Sequence, residues 1–220
     1  MANKNVPFQK HEVADYERRR YKGIDQKIVD SRERNILKKI LKRMTSYSRL
    51  ALDVPCGYGR FSQLLLERNF SVVSSDLSFH MVNRAVHRDL GKDNQKHLGC
   101  IVDAKKLMPF MACSFDIVFC MRFFHHVHEK KERETILKEF SRISRKWLIL
   151  SYYEINQLHL LQRKLRKKMN KSRTRIKMIS NKDFYEEAEK TGWRAIKIFS
   201  LFPGIHSQHI ALLRKIKIEP

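Results

Sequence analysis

The sequence predicts an α/β fold in which helices cover both faces of a doubly wound, mostly parallel sheet. Three observations support this prediction. Short apolar segments rich in strand formers alternate with helical segments at intervals of about 20–30 residues, which is typical of crossover units. The last two strand-like segments have only a short connection between them, so they predict an antiparallel hairpin at the sheet edge. With 220 residues, 42% of them hydrophobic, the chain can enclose one ordinary core.

The parallel strands are predicted from five short apolar segments. Right-handed crossovers between such strands place the loops that follow them along one edge of the sheet. The predicted strands are 49–54, 71–76, 97–104, 114–123 and 146–154, and the hairpin strands are 193–202 and 209–218 around Pro203-Gly204.

The helices are predicted from apolar residues at helical spacing and from capping residues. Asp30 or Ser31 is expected to cap a helix that carries Ile36, Leu37 and Ile40, and Ser78 is expected to cap another. Further helices are predicted at 61–69, near 130–143 and at 181–192.

The charge and the cysteines exclude several classes of protein. There are 46 basic and 23 acidic residues, a formal net charge of +23, and no apolar run near the roughly 18 residues that span a membrane. The N-terminus lacks the apolar region of a secretory signal, so a cytoplasmic protein with reduced thiols is expected. None of the four cysteines has C-x-x-C spacing, so no metal site is predicted.

A glycine-containing turn follows the first predicted strand and points to a nucleotide-like ligand. In Leu52-Asp53-Val54-Pro55-Cys56-Gly57-Tyr58-Gly59-Arg60, the two glycines let a ligand approach the backbone. Asp76 ends the second strand, where a carboxylate can accept both hydroxyls of a ribose. Asp103 ends the third predicted strand and could contact a base.

The turn does not fit the two commonest phosphate-binding motifs. Ser62 stands at the third glycine position of a dinucleotide fingerprint, and no Gly-Lys-Ser/Thr follows as in a P-loop. Asp53 precedes the glycines, and a carboxylate there suits a ligand with an ammonium group better than a pyrophosphate.

Four segments in the same order and spacing resemble the class I S-adenosylmethionine-dependent methyltransferases, nearest to the small type 11 or ubiquinone-biosynthesis-like enzymes. They are LDVPCGYGRFSQLL, SSDLS, VDAKKLMPFMACSFDIVFC and FHHVHEKKERETILKEFSRIS, and the resemblance covers roughly residues 48–152. It implies a Rossmann-like fold, a methyl-transfer activity and S-adenosyl-L-methionine as the cofactor. Pro55 replaces a common glycine, and the usual Leu-Lys-Pro-Gly-Gly turn before strand five is missing.

The resemblance also implies a cofactor site. The methionyl part is expected at the glycine turn, the ribose at Asp76, the adenine at Leu77 and the Asp103-Ala104 edge, and the transfer site at 120–123. Tyr16, Arg19 and Tyr21 are expected as a lid over the cofactor carboxylate. The cofactor-binding residues predicted in this way are Asp53, Pro55, Cys56, Gly57, Gly59, Arg60, Asp76, Leu77, Asp103, Ala104, Cys120, Arg19 and Tyr21.

Each of these assignments has a structural alternative. The glycines can serve only a tight turn, Asp103 can cap the following segment, and the residues around Arg19 can form a solvated helix face. His125 and His126 are the candidate catalytic residues, as bases for a hydroxyl acceptor, and their alternative is packing in the loop. His128, Tyr152 and Tyr153 are further candidates for the base.

One domain in four parts is expected: an N-terminal helical cap (1–45), a cofactor-binding core (46–154), a basic cap insertion (155–180) and a C-terminal helix and hairpin (181–220). In the insertion, nine of the fifteen residues from Arg163 to Lys177 are basic. The stretch 158–178 is interpreted as a cap over the active site, with contact to an anionic membrane surface or to RNA as alternatives.

The acceptor is predicted to be a small molecule or lipid-like compound. The Asn/Asp-Pro-Pro-Tyr/Phe motif of amino-group nucleic-acid methylases is absent after strand four, where the chain reads Cys120-Met121-Arg122-Phe123. The positive charge favours an anionic acceptor. The alternatives are an RNA methyltransferase, or a non-catalytic module that docks on nucleic acid or on a membrane, and peripheral membrane association remains open.

Overall fold

The computed structural model describes residues 8–20, 23–44, 49–88, 96–155 and 176–216. Within these ranges seven strands form one sheet in the order β3-β2-β1-β4-β5-β7-β6. The strands are β1 (Leu50–Asp53), β2 (Ser71–Asp76), β3 (His97–Ile101), β4 (Phe115–Cys120), β5 (Ser144–Tyr153), β6 (Trp193–Ser200) and β7 (Gln208–Lys215). The helices are α1 (Lys10–Arg20), α2 (Ile24–Lys42), α3 (Ser62–Leu66), α4 (Phe79–Val86), α5 (Lys130–Ile143) and α6 (Asn181–Lys190).

The pairing confirms the predicted fold class. Strands β1 to β5 run parallel, and β7 pairs antiparallel with both β5 and β6. The second strand of the hairpin therefore lies inside the sheet and the first strand forms its edge. Because β1, β2 and β4 are parallel neighbours, the loops after them meet at one edge of the sheet.

Alternating side chains of the sheet contribute to two separate cores. In β4, Val118 packs with residues of α5 and α6, whereas Ile117 and Phe119 pack with residues of α2 and α3 on the opposite face. All three side chains are fully buried. Because successive side chains of a strand point to opposite faces, the sheet packs against helices on both of its sides.

The largest difference from the sequence prediction is the start of α2. This helix begins at Ile24, after the N-cap Gly23, and not at Asp30 or Ser31. Its first two turns include Ile24, Ile28 and Val29, but Ile24 and Ile28 are exposed, so they do not mark the buried face of the helix. Asp25 in the first turn complements the helix dipole. Ser78, in contrast, caps α4 as predicted, since its Oγ accepts a hydrogen bond from the Met81 amide at 3.4 Å.

Other boundaries differ by a few residues. Strand β3 ends at Ile101, before Asp103, whose Oδ1 accepts the Lys105 amide at 3.0 Å and so closes a turn. Strand β5 begins at Ser144, directly after α5, without a glycine-rich turn between them. Helix α3 is shorter than the predicted 61–69 segment.

No helix in the described part of the chain is long and apolar enough to cross a membrane. Among the same residues, no group of three or more histidine, cysteine or acidic side chains is arranged to hold a metal ion.

Candidate active site

A cleft of about 210 Å³ lies at the ends of β1, β2 and β4, beneath α1. The glycine turn and Asp76 form one wall, and the segment after β4 forms another. The predicted cofactor residues that line this cleft are Pro55, Cys56, Gly57, Arg60 and Asp76.

The two glycines of the turn are needed for different reasons. Both have left-handed backbone conformations, with φ of 54° at Gly57 and 79° at Gly59. A Cβ on Gly57 would meet nothing within 4 Å, so the open space above it faces the cleft. A Cβ on Gly59 would lie 2.7 Å from the Cα of Ala85, so this glycine lets α4 pack against the turn. The prediction of ligand approach is therefore supported at Gly57, whereas Gly59 serves packing.

Asp76 is held by the backbone with its carboxylate at the cleft. Its Oδ2 accepts the amide of Gly57 at 3.1 Å and its Oδ1 accepts the amide of Ser78 at 3.0 Å. Burial raises the pKa of this carboxyl, and these amides oppose the rise. A carboxylate fixed in this way can still accept hydroxyl donors from a ligand.

Asp53 lies behind the glycine turn and does not line the cleft. It is 1% exposed, and the Ser62 hydroxyl donates to its Oδ2 at 2.6 Å. The pKa of Asp53 is raised to about 7, chiefly by burial and to a smaller extent by the nearby charge of Asp76. The hydrogen bond from Ser62 opposes part of this rise. Asp53 can therefore act on a ligand through its charge, and that charge changes near neutral pH.

Arg60 borders the cleft, but its guanidinium is engaged on the protein side. It forms ion pairs with Asp30, at 2.7 Å, and with the fully buried Glu33. It also lies over the ring of Phe61, 4.1 Å from the centroid. Arg60 thus ties the glycine turn to α2.

Helix α1 covers the cleft and is attached to α4. Phe8 and Tyr16 line the cleft, and the Tyr16 ring meets Tyr58 edge-on at 5.9 Å. Glu17 accepts two hydrogen bonds from Arg84 of α4, at 2.8 and 3.2 Å. Of the predicted lid, Tyr16 is in place, the backbone of Arg19 belongs to α1, and Tyr21 lies outside the described residues.

Besides Asp53 and Gly59, four predicted cofactor residues line neither this cleft nor the cavity beside it. Leu77 is 42% exposed, and Ala104 and Cys120 belong to the core. Asp103 closes the turn after β3, which is the capping role that the sequence left open. Their contact with a cofactor stays a prediction.

A second cavity, of about 350 Å³, adjoins the cleft. Arg122 and His126 line both spaces, so the two are separated only by the segment that follows β4. Residues from α2, β5 and the region just before β7 complete the second cavity. Its lining residues are Asp25, Gln26, Val29, Arg122, His125, His126, Tyr153, Ile176, His206 and Gln208.

The structure brings both predicted catalytic histidines to this cavity. The rings of His125 and His126 are 4.0 Å apart, and the His125 ring lies 4.9 Å from that of Tyr153. Tyr152, in contrast, is fully buried, stacks on Phe184 and donates its hydroxyl hydrogen to Asn181. Burial also raises the pKa of the Tyr152 hydroxyl. Of the two tyrosines, Tyr153 lines the second cavity and Tyr152 does not.

Glu33 of α2 connects the walls of the two spaces, and the sequence analysis did not single it out. Its carboxylate accepts two hydrogen bonds from Arg122, at 2.9 and 2.8 Å, and one from Gln208 at 2.5 Å. Burial favours the neutral form of Arg122, but the Glu33 carboxylate outweighs this effect, so the pKa of Arg122 is raised. In the sequence Glu33 is one acid within a charged helix, and nothing there marks it as buried.

The buried network could not be found from sequence because its members lie far apart along the chain. Glu33 and Arg122 are separated by 89 positions, and Glu33 and Gln208 by 175.

The comparisons with known proteins agree with this geometry. Residues 52–148 match a family model described as "Methyltransferase domain". No curated protein matches the chain by sequence.

Solved structures share the fold over most of the chain. Magnesium protoporphyrin IX methyltransferase of Synechocystis, crystallised with S-adenosylhomocysteine, is 19% identical with a TM-score of 0.75, over 92% of this chain and 94% of that one. The PH0226 protein of Pyrococcus horikoshii is 19% identical with a TM-score of 0.71, over 94% and 99%. A geranyl diphosphate methyltransferase is 12% identical with a TM-score of 0.61, over 86% and 78%. At these identities the likeness shows the fold alone.

Proposed function

We propose that the chain is a class I S-adenosylmethionine-dependent methyltransferase, with S-adenosyl-L-methionine as its cofactor, and that it methylates a small or lipid-like anionic acceptor. The acceptor binds in the second cavity. The observation that carries this proposal is the wall that the cleft and the second cavity share, formed by Arg122 and His126. Because these two side chains border both spaces, an acceptor in the second cavity lies next to the cleft, and methyl transfer requires its reacting group to reach past them to the cofactor.

The residues of the cleft fit the cofactor. The open space at Gly57 admits a ligand close to the backbone, and Asp76 offers a fixed carboxylate to ribose hydroxyls. Tyr16, Met81 and Met121 give the cleft an apolar lining. Such a lining suits an adenosyl group and a sulfur atom.

When bound, S-adenosylmethionine supplies a methyl group activated by a sulfonium. The protein's own residues align the acceptor and exclude water. Helix α1 covers the cleft, and the shared wall sets the direction from which an acceptor approaches. His126 borders both spaces, so its imidazole is the proposed base that takes the proton of an acceptor hydroxyl.

The lining of the second cavity supports an anionic acceptor of limited size. Three histidines, Arg122 and Tyr153 line it, and its single carboxylate, Asp25, is exposed. Because Arg122 is paired with Glu33, the histidines and Tyr153 are donors that an anion would meet. A volume of about 350 Å³ is near the lower end for ligand pockets, so the cavity accommodates a small molecule or a lipid headgroup. The net charge of +23 attracts anions to the whole surface.

The test is a search for the methylated product. Purified protein is incubated with S-adenosylmethionine labelled on the methyl group and, separately, with anionic metabolites, anionic lipid vesicles or RNA, with Asp76→Ala as the control. We expect label in the metabolite or lipid fraction with the wild-type protein only. Label in RNA alone would overturn the proposal in favour of an RNA methyltransferase. Cofactor binding without label in any fraction would indicate a non-catalytic module.

A further inference from the structure

A buried chain of hydrogen bonds leads from β3, at the edge of the sheet, to the carboxylate of Asp53. The Ser62 Oγ lies 2.6 Å from Asp53 Oδ2, the Ser74 Oγ lies 2.8 Å from the Ser62 Oγ, and the His97 Nε2 lies 2.7 Å from the Ser74 Oγ. All four side chains are buried. The chain thus crosses from β1 through the start of α3 and β2 to β3.

The chain has a fixed direction when Asp53 is ionised. A hydroxyl has one proton, so Ser62 donates to the carboxylate and Ser74 donates to Ser62. The Ser74 oxygen is then left to accept a hydrogen bond, and His97 supplies it from Nε2–H. Three aligned donors therefore favour the anionic form of Asp53, whereas burial favours the neutral form.

We propose that Ser62, Ser74 and His97 are positioning residues that hold Asp53 as an anion behind the glycine turn, and that this charge makes the protein prefer S-adenosylmethionine to S-adenosylhomocysteine. The inference depends on the cofactor assignment in the proposed function. The two ligands differ by the positive charge on sulfur. Asp53 acts on that charge through its field, since it does not line the cleft.

The charge of Asp53 changes near neutral pH, because its pKa is raised to about 7. Its effect on ligand binding can therefore be measured in that pH range. The titratable groups around it are Asp76 at the end of β2, the Cys56 thiol in the turn and the Cys120 thiol on β4. Burial raises the pKa of both thiols, which keeps them neutral. Helix α3 contributes no charged side chain. Asp76 and the hydrogen-bond chain that begins at His97 are therefore the groups that tune Asp53.

The neighbouring serines of β2 provide a matched control. Ser74 and Ser75 are both fully buried, but the Ser75 Oγ has no hydrogen-bond partner among the described residues. Replacing either by alanine removes one buried hydroxyl from the same strand. Only Ser74→Ala interrupts the chain to Asp53.

The experiment measures the dissociation constants of both ligands by calorimetry across neutral pH. In the wild type, we expect the preference for S-adenosylmethionine to rise at least about threefold between about pH 6 and pH 8, as Asp53 ionises. At about pH 7 the preference should fall roughly fivefold in Ser62→Ala and about twofold in Ser74→Ala. Ser75→Ala should match the wild type. His97→Phe should match Ser74→Ala, and His97→Gln, which keeps an N–H donor, should restore the preference.

Thermal unfolding identifies which variants are folded. If Ser62→Ala does not fold, the comparison of Ser74→Ala and His97→Phe with Ser75→Ala decides. The inference is wrong if folded variants of Ser62, Ser74 and His97 show the same preference for S-adenosylmethionine, and the same pH dependence, as Ser75→Ala. It is also wrong if the preference of the wild type does not change with pH. A wild-type protein that binds neither ligand would instead overturn the proposed function and the inference with it.

Discussion

Asp53 and Asp76 are both carboxylates at the end of a strand, but they differ in burial and in their position relative to the cleft. Asp76 is held by two backbone amides and faces the cleft. Asp53 is buried, and the Ser62 hydroxyl donates to its Oδ2. The sequence predicted both as ligand-binding acids because each ends a strand, but the difference in burial depends on α3 and on the packing of the turn. Contact with a ligand therefore stays a prediction for Asp76, and an effect through its field is what we propose for Asp53.

The first prediction concerns stability. The pKa of Asp53 rises from 3.8 to about 7 on folding, so its contribution to stability is complete below about pH 4 and is lost as the pH rises to about 7. Asparagine does not ionise, so Asp53→Asn does not lose stability as the pH rises, and it keeps the hydrogen bond with Ser62. In the absence of ligand, we expect the variant to exceed the wild type in unfolding free energy by a few kcal/mol, roughly, at pH 8.

Denaturant unfolding at several pH values measures this difference. It should shrink towards zero as the pH falls to about 4. A constant difference across this range would contradict the ionisation of a buried Asp53.

The second prediction concerns the base. His126 borders both spaces, whereas His128, two residues later, lines neither. The assay uses the acceptor fraction that takes up label. If the methylated group is a hydroxyl, we expect His126→Ala to lower the turnover number by about 100-fold or more. His128→Ala should stay within about twofold. Equal turnover of His126→Ala and the wild type, with cofactor binding intact, would show that this imidazole is not the base.

At the scale of elements, the strands were predicted well because each is a short apolar segment bounded by polar residues. A helical cap was predicted for residues 1–45, but the bounds of α1 and the start of α2 were not, since α1 is mostly polar and the exposed Ile24 and Ile28 do not mark the buried face of α2. The second cavity could not be predicted either. Its walls come from α2, the segment after β4, β5 and the residues before β7, and only the folded sheet brings these together.

The third prediction separates packing from ligand approach within the glycine turn. Gly57→Ala and Gly59→Ala both introduce a side chain at a positive φ, as does Gly204→Ala, which is also in open space. We expect Gly59→Ala to lose about 1–3 kcal/mol more stability than Gly204→Ala because its Cβ meets Ala85. Gly57→Ala should lose about as much stability as Gly204→Ala.

Ligand affinity completes this comparison. Gly57→Ala should bind S-adenosylhomocysteine about tenfold more weakly, since its Cβ enters the cleft, and Gly204→Ala should bind it as the wild type does. Unfolding by denaturant and calorimetry measure the two effects. Wild-type affinity in Gly57→Ala would show that the ligand does not approach this part of the backbone.

At the scale of the whole molecule, the order of the strands places the two spaces side by side. The cleft forms at the ends of β1, β2 and β4, and the second cavity lies towards β5 and β7, with Glu33 of α2 behind the wall that they share. The predicted fold class is confirmed, and the match to a methyltransferase domain agrees with the proposed cofactor. The basic stretch 158–178 lies outside the described residues except for its last three positions, so its role as a cap or as a contact for membrane or RNA stays a prediction.

The most direct test is a calorimetric titration of the purified protein with S-adenosylmethionine, repeated with Asp76→Ala. We expect the wild type to bind one molecule per chain. Asp76→Ala should be folded and bind about tenfold or more weakly, because it loses the carboxylate that faces the cleft. Equal affinity of the two folded proteins, or no binding by the wild type, would contradict the assignment of this cleft to the cofactor.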